Sequence, residues 1–554
     1  MRGAQAVVEC LKEHGVDTIF GYPGGMILPF YDALYDDKSI NQILVTHEQN
    51  AAHAADGYAR ASGKVGVCVA TSGPGATNLV TGIATAFMDS IPIVAITGQV
   101  DTSLLGRDAF QETDILDITM PVTKHNFKIK DARLLIPTLR QAFEIAMSGR
   151  RGPVLVDIPR DLFFADVDYK PQSPVEKKIG KPDPDFLICA AEAADEIVRA
   201  ERPIAIVGGG AVAANASKEI TAFVEKFDLP VANTLMGLGA VPRSHTHNLG
   251  FAGMHGKKAA NQAIANADLV IAIGSRFGDR QTGNLSKYTV NRKFIHIDID
   301  PAEIDKNVEN SLGLAGDMKT ILNLLMRHEA AAPRDDWWRQ IDEWLDEYEY
   351  DYQVDRLTVP WAMNQIAKMT AGKKFAFATD VGQHQMWAAL HLRIEEPRTW
   401  LTSGGLGTMG FGLPAAMGAQ LAFGDKRRVV SISGDGGIKM TGNEFYTIAR
   451  LNLPIISIIV NNTGLGMIRQ LQKVMYDERY IVCELDYPMD YVGYANSFGI
   501  KAEAVSSQED FAHAFAKALE DTDHPRVIVM NVGRSFVEPM IKGGAKLNEF
   551  VDFK

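Results

Sequence analysis

The stretch Arg428-Val429-Val430-Ser431-Ile432-Ser433 runs straight into Gly434-Asp435-Gly436, and Ile455-Ile456-Ser457-Ile458-Ile459-Val460 runs into Asn461-Asn462. Each is a short apolar run closed by turn residues, and a helix-length segment lies between them. That is the pattern of two parallel strands and their crossover. Asp435 and Asn462, 27 positions apart, then emerge together at the carboxyl edge of a sheet, where open α/β sheets bind ligands. A carboxylate and an amide carbonyl are hard oxygen donors, suited to a Mg²⁺ that keeps part of its coordination for water and a diphosphate. The flanking glycines let backbone approach that diphosphate closely. Taken alone, Gly-Asp-Gly is also a common turn and Asn-Asn ordinary loop chemistry.

Working outward, short apolar runs alternate with helix-length segments almost throughout, the signature of parallel α/β layers. In the first third, strands read at 18–20, 43–46, 65–70, 91–97 and 154–158. The segment from Lys170 to Pro184 is polar and proline-rich and reads as a linker. A second unit begins at Pro203-Ile204-Ala205-Ile206-Val207 and contains strands at 269–273 and 294–299. Trp337, Trp338 and Trp344 lie at near-helical spacing and read as helix packing. The expected organisation is three doubly wound parallel-sheet domains over 1–168, 186–330 and 358–554. A linker over 169–185 and a helical connection over 331–357 join them.

Composition bounds the function. The 554 residues suffice for three or four domains, with 46% hydrophobic and 22% charged residues. Acidic residues outnumber basic ones, 68 to 56, for a formal charge of −12, which argues against nucleic acid or an anionic membrane surface as partner. Cys10, Cys68, Cys189 and Cys483 show no CxxC spacing, so neither a disulfide framework nor a zinc site is expected. The N-terminal residues lack the apolar core of a signal peptide, and no aliphatic run approaches the ~20 residues of a membrane span. A cytoplasmic protein, or the mature form of something imported, is expected.

A second constellation follows the strand at 43–46: His47-Glu48-Gln49-Asn50-Ala51-Ala52. Glu48 stands at a strand-to-helix junction, where a carboxylate also simply stabilises the first helical turn.

Together these motifs resemble the acetohydroxyacid (acetolactate) synthase branch of the thiamine diphosphate (ThDP) dependent decarboxylase family. The resemblance is carried, in order, by Gly21-Tyr22-Pro23-Gly24-Gly25, His47 to Ala52, Thr71-Ser72-Gly73-Pro74-Gly75-Ala76-Thr77-Asn78 and Asp108-Ala109-Phe110-Gln111-Glu112. It continues through Gly253-Met254-His255-Gly256, Gly382-Gln383-His384-Gln385-Met386-Trp387, Thr402 to Gly410 and Leu465-Gly466-Met467-Ile468-Arg469-Gln470. It spans essentially the whole chain. It implies that Glu48 hydrogen-bonds the 1′ nitrogen of the cofactor's aminopyrimidine, favouring the imino form that removes the thiazolium C2 proton. It further implies Mg²⁺ on Asp435, Asn462 and the Gly464 carbonyl, and Met409 as the apolar prop that holds the cofactor bent. Gln383 and His384 are expected near the diphosphate and Met467 near the aminopyrimidine. Gly24, Gly75, Asn78, Gly407, Gly434, Gly436 and Gly437 complete the expected cofactor contacts.

For the middle domain the resemblance implies FAD in a structural role. Its expected contacts are Arg150, Gly208, Gly209, Gly210, Met254, His255, Asp298 and Asp317. Biosynthetic relatives usually read RFDDR where this chain reads Arg276-Phe277-Gly278-Asp279-Arg280, so Gly278 replaces an acidic residue.

The implied reaction is decarboxylation of pyruvate and carboligation to a second 2-keto acid, pyruvate or 2-ketobutyrate, the first common step of branched-chain amino-acid biosynthesis. Arg276 is expected to pair with the second substrate's carboxylate, or else with a FAD phosphate. Phe110 and Gln111 are expected to line that pocket from a partner subunit, because the family splits its cofactor between subunits. Leu471, Gly25 and Lys124 are expected in the substrate channel. At Leu471 the family usually carries tryptophan, so weak preference for 2-ketobutyrate and poor binding of sulfonylurea-type inhibitors are expected. At least a homodimer, possible tetramers and a small regulatory subunit are implied. The alternatives are a FAD- and ThDP-dependent pyruvate oxidase and a sulfoacetaldehyde acetyltransferase-like lyase.

Overall fold

Six strands open the first domain: β1 Thr18–Tyr22, β2 Asn41–Leu44, β3 Gly66–Ala70, β4 Ile93–Gln99, β5 His125–Lys128 and β6 Val154–Pro159. They form one all-parallel sheet in the order β2-β1-β3-β4-β6-β5. This computed structural model describes residues 1–172 and 184–553, so most of the linker expected over 169–185 lies outside the described residues.

The middle sheet consists of β7 Pro203–Val207, β8 Val231–Asn233, β9 Asn248–Phe251, β10 Leu269–Ile273, β11 Lys293–Asp298 and β12 Leu312–Ala315, ordered β12-β11-β10-β7-β8-β9. The third comprises β13 Phe375–Thr379, β14 Trp400–Leu401, β15 Arg428–Gly434, β16 Ile456–Asn461, β17 Lys501–Val505 and β18 Arg526–Asn531, ordered β14-β13-β15-β16-β18-β17. Counted within its own domain, that is the strand order of the first sheet. Central strands such as β4 and β15 are buried on both faces, as sheets covered by helices on either side require. The helix Asp335–Glu347 carries the tryptophans as packing groups: Trp337 is buried against Trp344, and its Nε1 donates to Pro203 O (3.1 Å).

The first and third domains share a core. The helix Glu48–Ser62 crosses the helix Gly412–Phe423 so closely that a Cβ on Gly57 would strike the Ala415 backbone, and one on Gly418 the Ala54 backbone. Glycine and alanine at that crossing are what let two backbones approach. Across the same seam Glu444, fully buried, accepts from Thr46 Oγ1 (2.7 Å) and Asn50 Nδ2 (2.6 Å), the residues that bracket Glu48.

Candidate active site

The edge at which the sequence places a metal is built by β15 and β16. They pair in register with Gly434 opposite Val460, so Asp435 and Asn462 both leave the carboxyl edge, as the sequence predicts. Asp435 opens the helix Asp435–Thr441 and is only 2% exposed; Asn462 is 9% exposed. The Gly464 N–H donates to both Asp435 Oδ2 (3.1 Å) and Asn462 Oδ1 (3.2 Å), so one donor draws the two side-chain oxygens to a common point. Burial pushes the Asp435 carboxyl up to about 6; hydrogen bonds from Gly464 and Gly436 oppose this only in part. No basic side chain pairs with it among the described residues. A buried acid of this kind is readily ionised by a divalent cation, and the donor chemistry fits Mg²⁺.

Around that point stand the residues expected on the diphosphate. A Cβ on Gly434 would lie 3.0 Å from His384 Nδ1, and one on Gly436 would lie 2.6 Å from Leu465 Cδ2 and 3.2 Å from Met409 Cε. The turn is therefore flanked by His384, Leu465 and Met409. Gln383 Oε1 and His384 Nε2 are buried without hydrogen-bond partners, while Gln383 Nε2 donates to Gln470 Oε1 (2.8 Å). Burial holds the His384 imidazole down at about 4, so it is neutral. Two orphaned polar atoms beside a glycine-lined turn fit a polar ligand such as a diphosphate. A cavity of about 250 Å³ opens here, lined by Gln383, Asn462, Gly464, Gly466, Arg469 and Arg534 among others. Gly407 lies exposed with φ +70°, and Met467 is half-buried, packed on the apolar face of the third sheet that includes Val430 and Ile458. Gly437 faces inward, where a Cβ would meet Asp380 Oδ1 at 2.5 Å.

Asp380 is a residue that sequence reasoning missed. It is 1% exposed and accepts from Gly410 N (3.0 and 2.9 Å) and Gly412 N (3.1 Å), fixing the loop that carries Met409. Its signal was a lone carboxylate closing β13 just before Gly382.

The other half-site is in the first domain. Glu48 opens its helix, and Asn78 Nδ2 donates to Glu48 Oε2 (2.9 Å). A Cβ on Gly75 would sit 3.3 Å from Glu48 Oε1 and 2.9 Å from Thr71 Cγ2; one on Gly24 would lie 2.5 Å from the same methyl. Thus Glu48, Asn78, Gly75 and, through Thr71, Gly24 are gathered. Gln111, at φ +61°, backs onto Gly73, where a Cβ would be 2.8 Å from Gln111 O, and the neighbouring Phe110 ring is 81% exposed.

No hydrogen bond joins the Glu48 side chain to Asp435 or Asn462 among the described residues. Among the described residues, every hydrogen-bond partner of the Glu48 side chain belongs to the first domain, and every one of the Asp435 and Asn462 side chains to the third.

In the middle domain, β7 and β10 are adjacent where the strand order reverses, the switch point at which such sheets bind nucleotides. Gly208 and Gly210 pack face to face with Gly274 there; a Cβ on Gly210 would be 2.7 Å from the Gly274 Cα. Arg276 reaches across to the first domain, its Nη2 donating to Met88 O (2.9 Å). Arg150 donates to Glu303 Oε1 (2.6 Å) and Ser90 Oγ (2.9 Å). Asp298, its pKa raised by burial, accepts from Asp300 N (3.0 Å). Met254 Sδ contacts Arg280 Nη1 (3.1 Å), and His255 Nδ1 meets Pro539 O (3.2 Å). Asp317 caps the helix Met318–Leu325 through Thr320 N (2.9 Å). Gln281 Nε2 and His296 Nε2, on the same domain, are buried without hydrogen-bond partners.

Of the expected channel residues, Leu471 lies half-buried on the helix Gly466–Met475 and Gly25 is open to solvent. Lys124 Nζ holds the end of the helix Leu135–Met147 through Ile145 O (2.6 Å) and Ser148 Oγ (3.0 Å).

Three family models match: the N-terminal TPP binding domain of thiamine pyrophosphate enzymes over residues 1–118, their central domain over 190–325, and their C-terminal TPP binding domain over 380–530. The probable acetolactate synthase large subunit of Methanocaldococcus jannaschii is 43% identical, over all of this chain and 95% of its own length. The acetolactate synthase large subunit of Parasynechococcus marenigrum is 46% identical, over 96% of this chain and 88% of its own. The isozyme 2 large subunit of Escherichia coli is 42% identical over the full length of both.

Proposed function

The chain belongs to the thiamine pyrophosphate enzymes, among the acetolactate synthase large subunits, and from that premise we propose how its residues divide the work. The reaction is decarboxylation of pyruvate and carboligation to a second 2-keto acid, a step of branched-chain amino-acid biosynthesis. The oxidase and acetyltransferase alternatives fall away, because the full-length relatives are acetolactate synthases. When bound, thiamine diphosphate supplies the carbon nucleophile and the electron sink for loss of CO₂.

The protein's share is binding, orientation and proton handling. Asp435 and Asn462, with Gly464 between them, hold Mg²⁺ and through it the diphosphate. The neutral His384 and the free Gln383 oxygen complete the polar contacts, and Met409 props the cofactor from its apolar side. Glu48, steadied by Asn78, holds the proton shared with the pyrimidine ring. Arg276 receives the carboxylate of the second keto acid, with Gln111 and Phe110 approaching from another subunit. Arg150, Gly208–Gly210, Met254, His255, Asp298 and Asp317 line a FAD site in the switch-point crevice. A second copy of the chain completes each site, and a small regulatory subunit associates, as the large-subunit names of the relatives imply. Cys10, Cys68, Cys189 and Cys483 are all free thiols, consistent with the reducing cytoplasm. No helix of the described residues is long and apolar enough to cross a membrane.

The observation that carries this reading is the convergence of Asp435 and Asn462 oxygens on one backbone N–H at a sheet edge. Purified protein incubated with pyruvate, Mg²⁺ and thiamine diphosphate, with and without FAD, tests it. Acetolactate formed only with both Mg²⁺ and thiamine diphosphate, by protein that retains flavin absorbance, is the expected result. Metal-independent turnover contradicts the site; flavin-free turnover contradicts the FAD assignment alone.

A further inference from the structure

The middle and third domains join where edge strand β9 touches the helix Gln383–His391, and basic groups gather at that junction. A Cβ on Gly250 would lie 3.2 and 3.4 Å from Lys257 Cδ and Cε and 3.5 Å from Arg243 Nε, so these two side chains flank one point. The Arg243 N–H donates to Ile394 O (3.2 Å), which brings it beside Arg393. His391 ends that helix two residues before Arg393. Its Nδ1 meets the Tyr352 hydroxyl at 2.8 Å, while its Nε2 is buried with no hydrogen-bond partner, the residue being 8% exposed.

The chemistry is one-sided. Burial holds His391 neutral, with Lys257 adding to the effect, so its pKa lies near 3. In the tautomer in which Tyr352 O–H donates to Nδ1, the neutral ring carries its proton on Nε2, an unmet donor. Lys257, Arg243 and Arg393 offer donors only. None of the three forms an ion pair among the described residues, although Arg243 Nη1 donates to Asn248 O (2.8 Å), and the nearby Glu395 is engaged by Ser244 N (3.0 Å) and Oγ (2.8 Å). Burial first, then Arg243 and Arg393, push the Lys257 ammonium down to about 7. Lys257 is also the N-cap of the nine-residue helix Lys258–Asn266, which has no acidic residue in its first turn and no side-chain cap. The positive helix end adds to the same sign. A buried donor without an acceptor, beside part-buried like charges without a counter-ion, is costly, and an anion meets both.

We propose that this junction is an anion site for a phosphate group, free or borne on a small metabolite, held by Lys257, Arg243, Arg393 and the Nε2–H of His391. A dianion with several acceptor oxygens matches three cations and a neutral donor better than a halide or a single carboxylate does. The site is distinct from the cofactor's diphosphate region. The helix that ends in His391 begins at Gln383, a length of nine residues or roughly 13 Å.

The test is calorimetric titration of inorganic phosphate into holoenzyme, at fixed ionic strength in chloride, for wild type, Lys257→Met and Arg393→Gln. Arg393 is exposed, so its variant leaves the fold undisturbed. Saturable binding to wild type, weakened about tenfold in Arg393→Gln and further in Lys257→Met, is the expected result. Lys257→Met should also melt higher than wild type in chloride, because it removes an unpaired cation. Absence of saturable binding, or binding equal in all three proteins, overturns the proposal. So does a Lys257→Met protein that melts lower yet is still protected by phosphate. Repeating the titration with glycerol 3-phosphate separates the sources: tighter binding than inorganic phosphate identifies a phosphate ester as the ligand, and equal binding the free ion.

Discussion

The first and third domains wind six parallel strands in the same order, yet they present different chemistry at the same edge. In the third domain, the third and fourth strands end in Asp435 and Asn462, two oxygen donors bound to one N–H. In the first, the third strand ends in Thr71-Ser72-Gly73 and a short helix, Pro74–Asn78, which delivers Asn78 to Glu48. Gln99, ending the fourth strand, turns inward and donates to the buried Asp157 (3.1 Å). The acid of the first domain comes instead from the segment after its second strand, where the third domain has Thr402-Ser403-Gly404 and no carboxylate. Strand order decides where a ligand can lie; the loops decide which end of it each domain grips.

The comparison is broken most strongly at Glu48. Glu48→Gln should lower turnover by on the order of 10²–10⁴-fold, as loss of a positioned proton carrier does, while Mg²⁺ and cofactor binding measured by calorimetry stay near wild type. Asp435→Asn should do the reverse in kind, raising the Mg²⁺ concentration needed for half-maximal activity by roughly a hundredfold. A variant at Asp435 that changed turnover alone would erase the distinction between the two edges.

The same carboxylate predicts a pH effect of opposite sign to the usual acidic pair. Its folded pKa of about 6 lies above the ordinary 3.8, so the metal-free fold is favoured with Asp435 protonated. That contribution is complete below pH ~4 and lost as pH rises through about 6, amounting to roughly 3 kcal/mol. Thermal melts without metal should show wild type falling below Asp435→Asn between those pH values, and Mg²⁺ should restore wild type alone. The smallest effect sharpens the substrate side. Leu471→Trp should raise the preference for 2-ketobutyrate over pyruvate by about tenfold in competition assays, the range one added apolar contact surface allows.

Legibility in the sequence followed burial. β15 and β16 stand out because both faces are covered and the runs are almost wholly apolar. The edge strands β5, His-Asn-Phe-Lys, and β17, Lys-Ala-Glu-Ala-Val, are half in solvent and carry polar residues, so no period marks them. The expected strand at 43–46 ends two residues early, at Leu44, because Val45 to His47 already turn into the helix. The places of Asp435 and Asn462 at the sheet edge were readable from spacing, whereas a metal-binding role for them needed the family resemblance. Glu48 needed the family resemblance, since a carboxylate at a helix start has an ordinary explanation. Asp380 escaped because its partners, Gly410 and Gly412, lie 30 and 32 positions away. The clamp of Glu444 on Thr46 and Asn50 escaped for the same reason, at 398 and 394 positions.

The central claim is that the two edges belong to different active sites, each completed by another copy of the chain. Co-expressing Glu48→Gln with Asp435→Asn, assayed at a Mg²⁺ concentration too low to support Asp435→Asn alone, tests it directly. Random pairing makes half the dimers mixed, and each mixed dimer carries one intact site and one doubly altered site. The account predicts recovery of about a quarter of wild-type acetolactate synthesis. Recovery of none, from dimers shown to be mixed, would contradict it and would mean that each chain completes its own site.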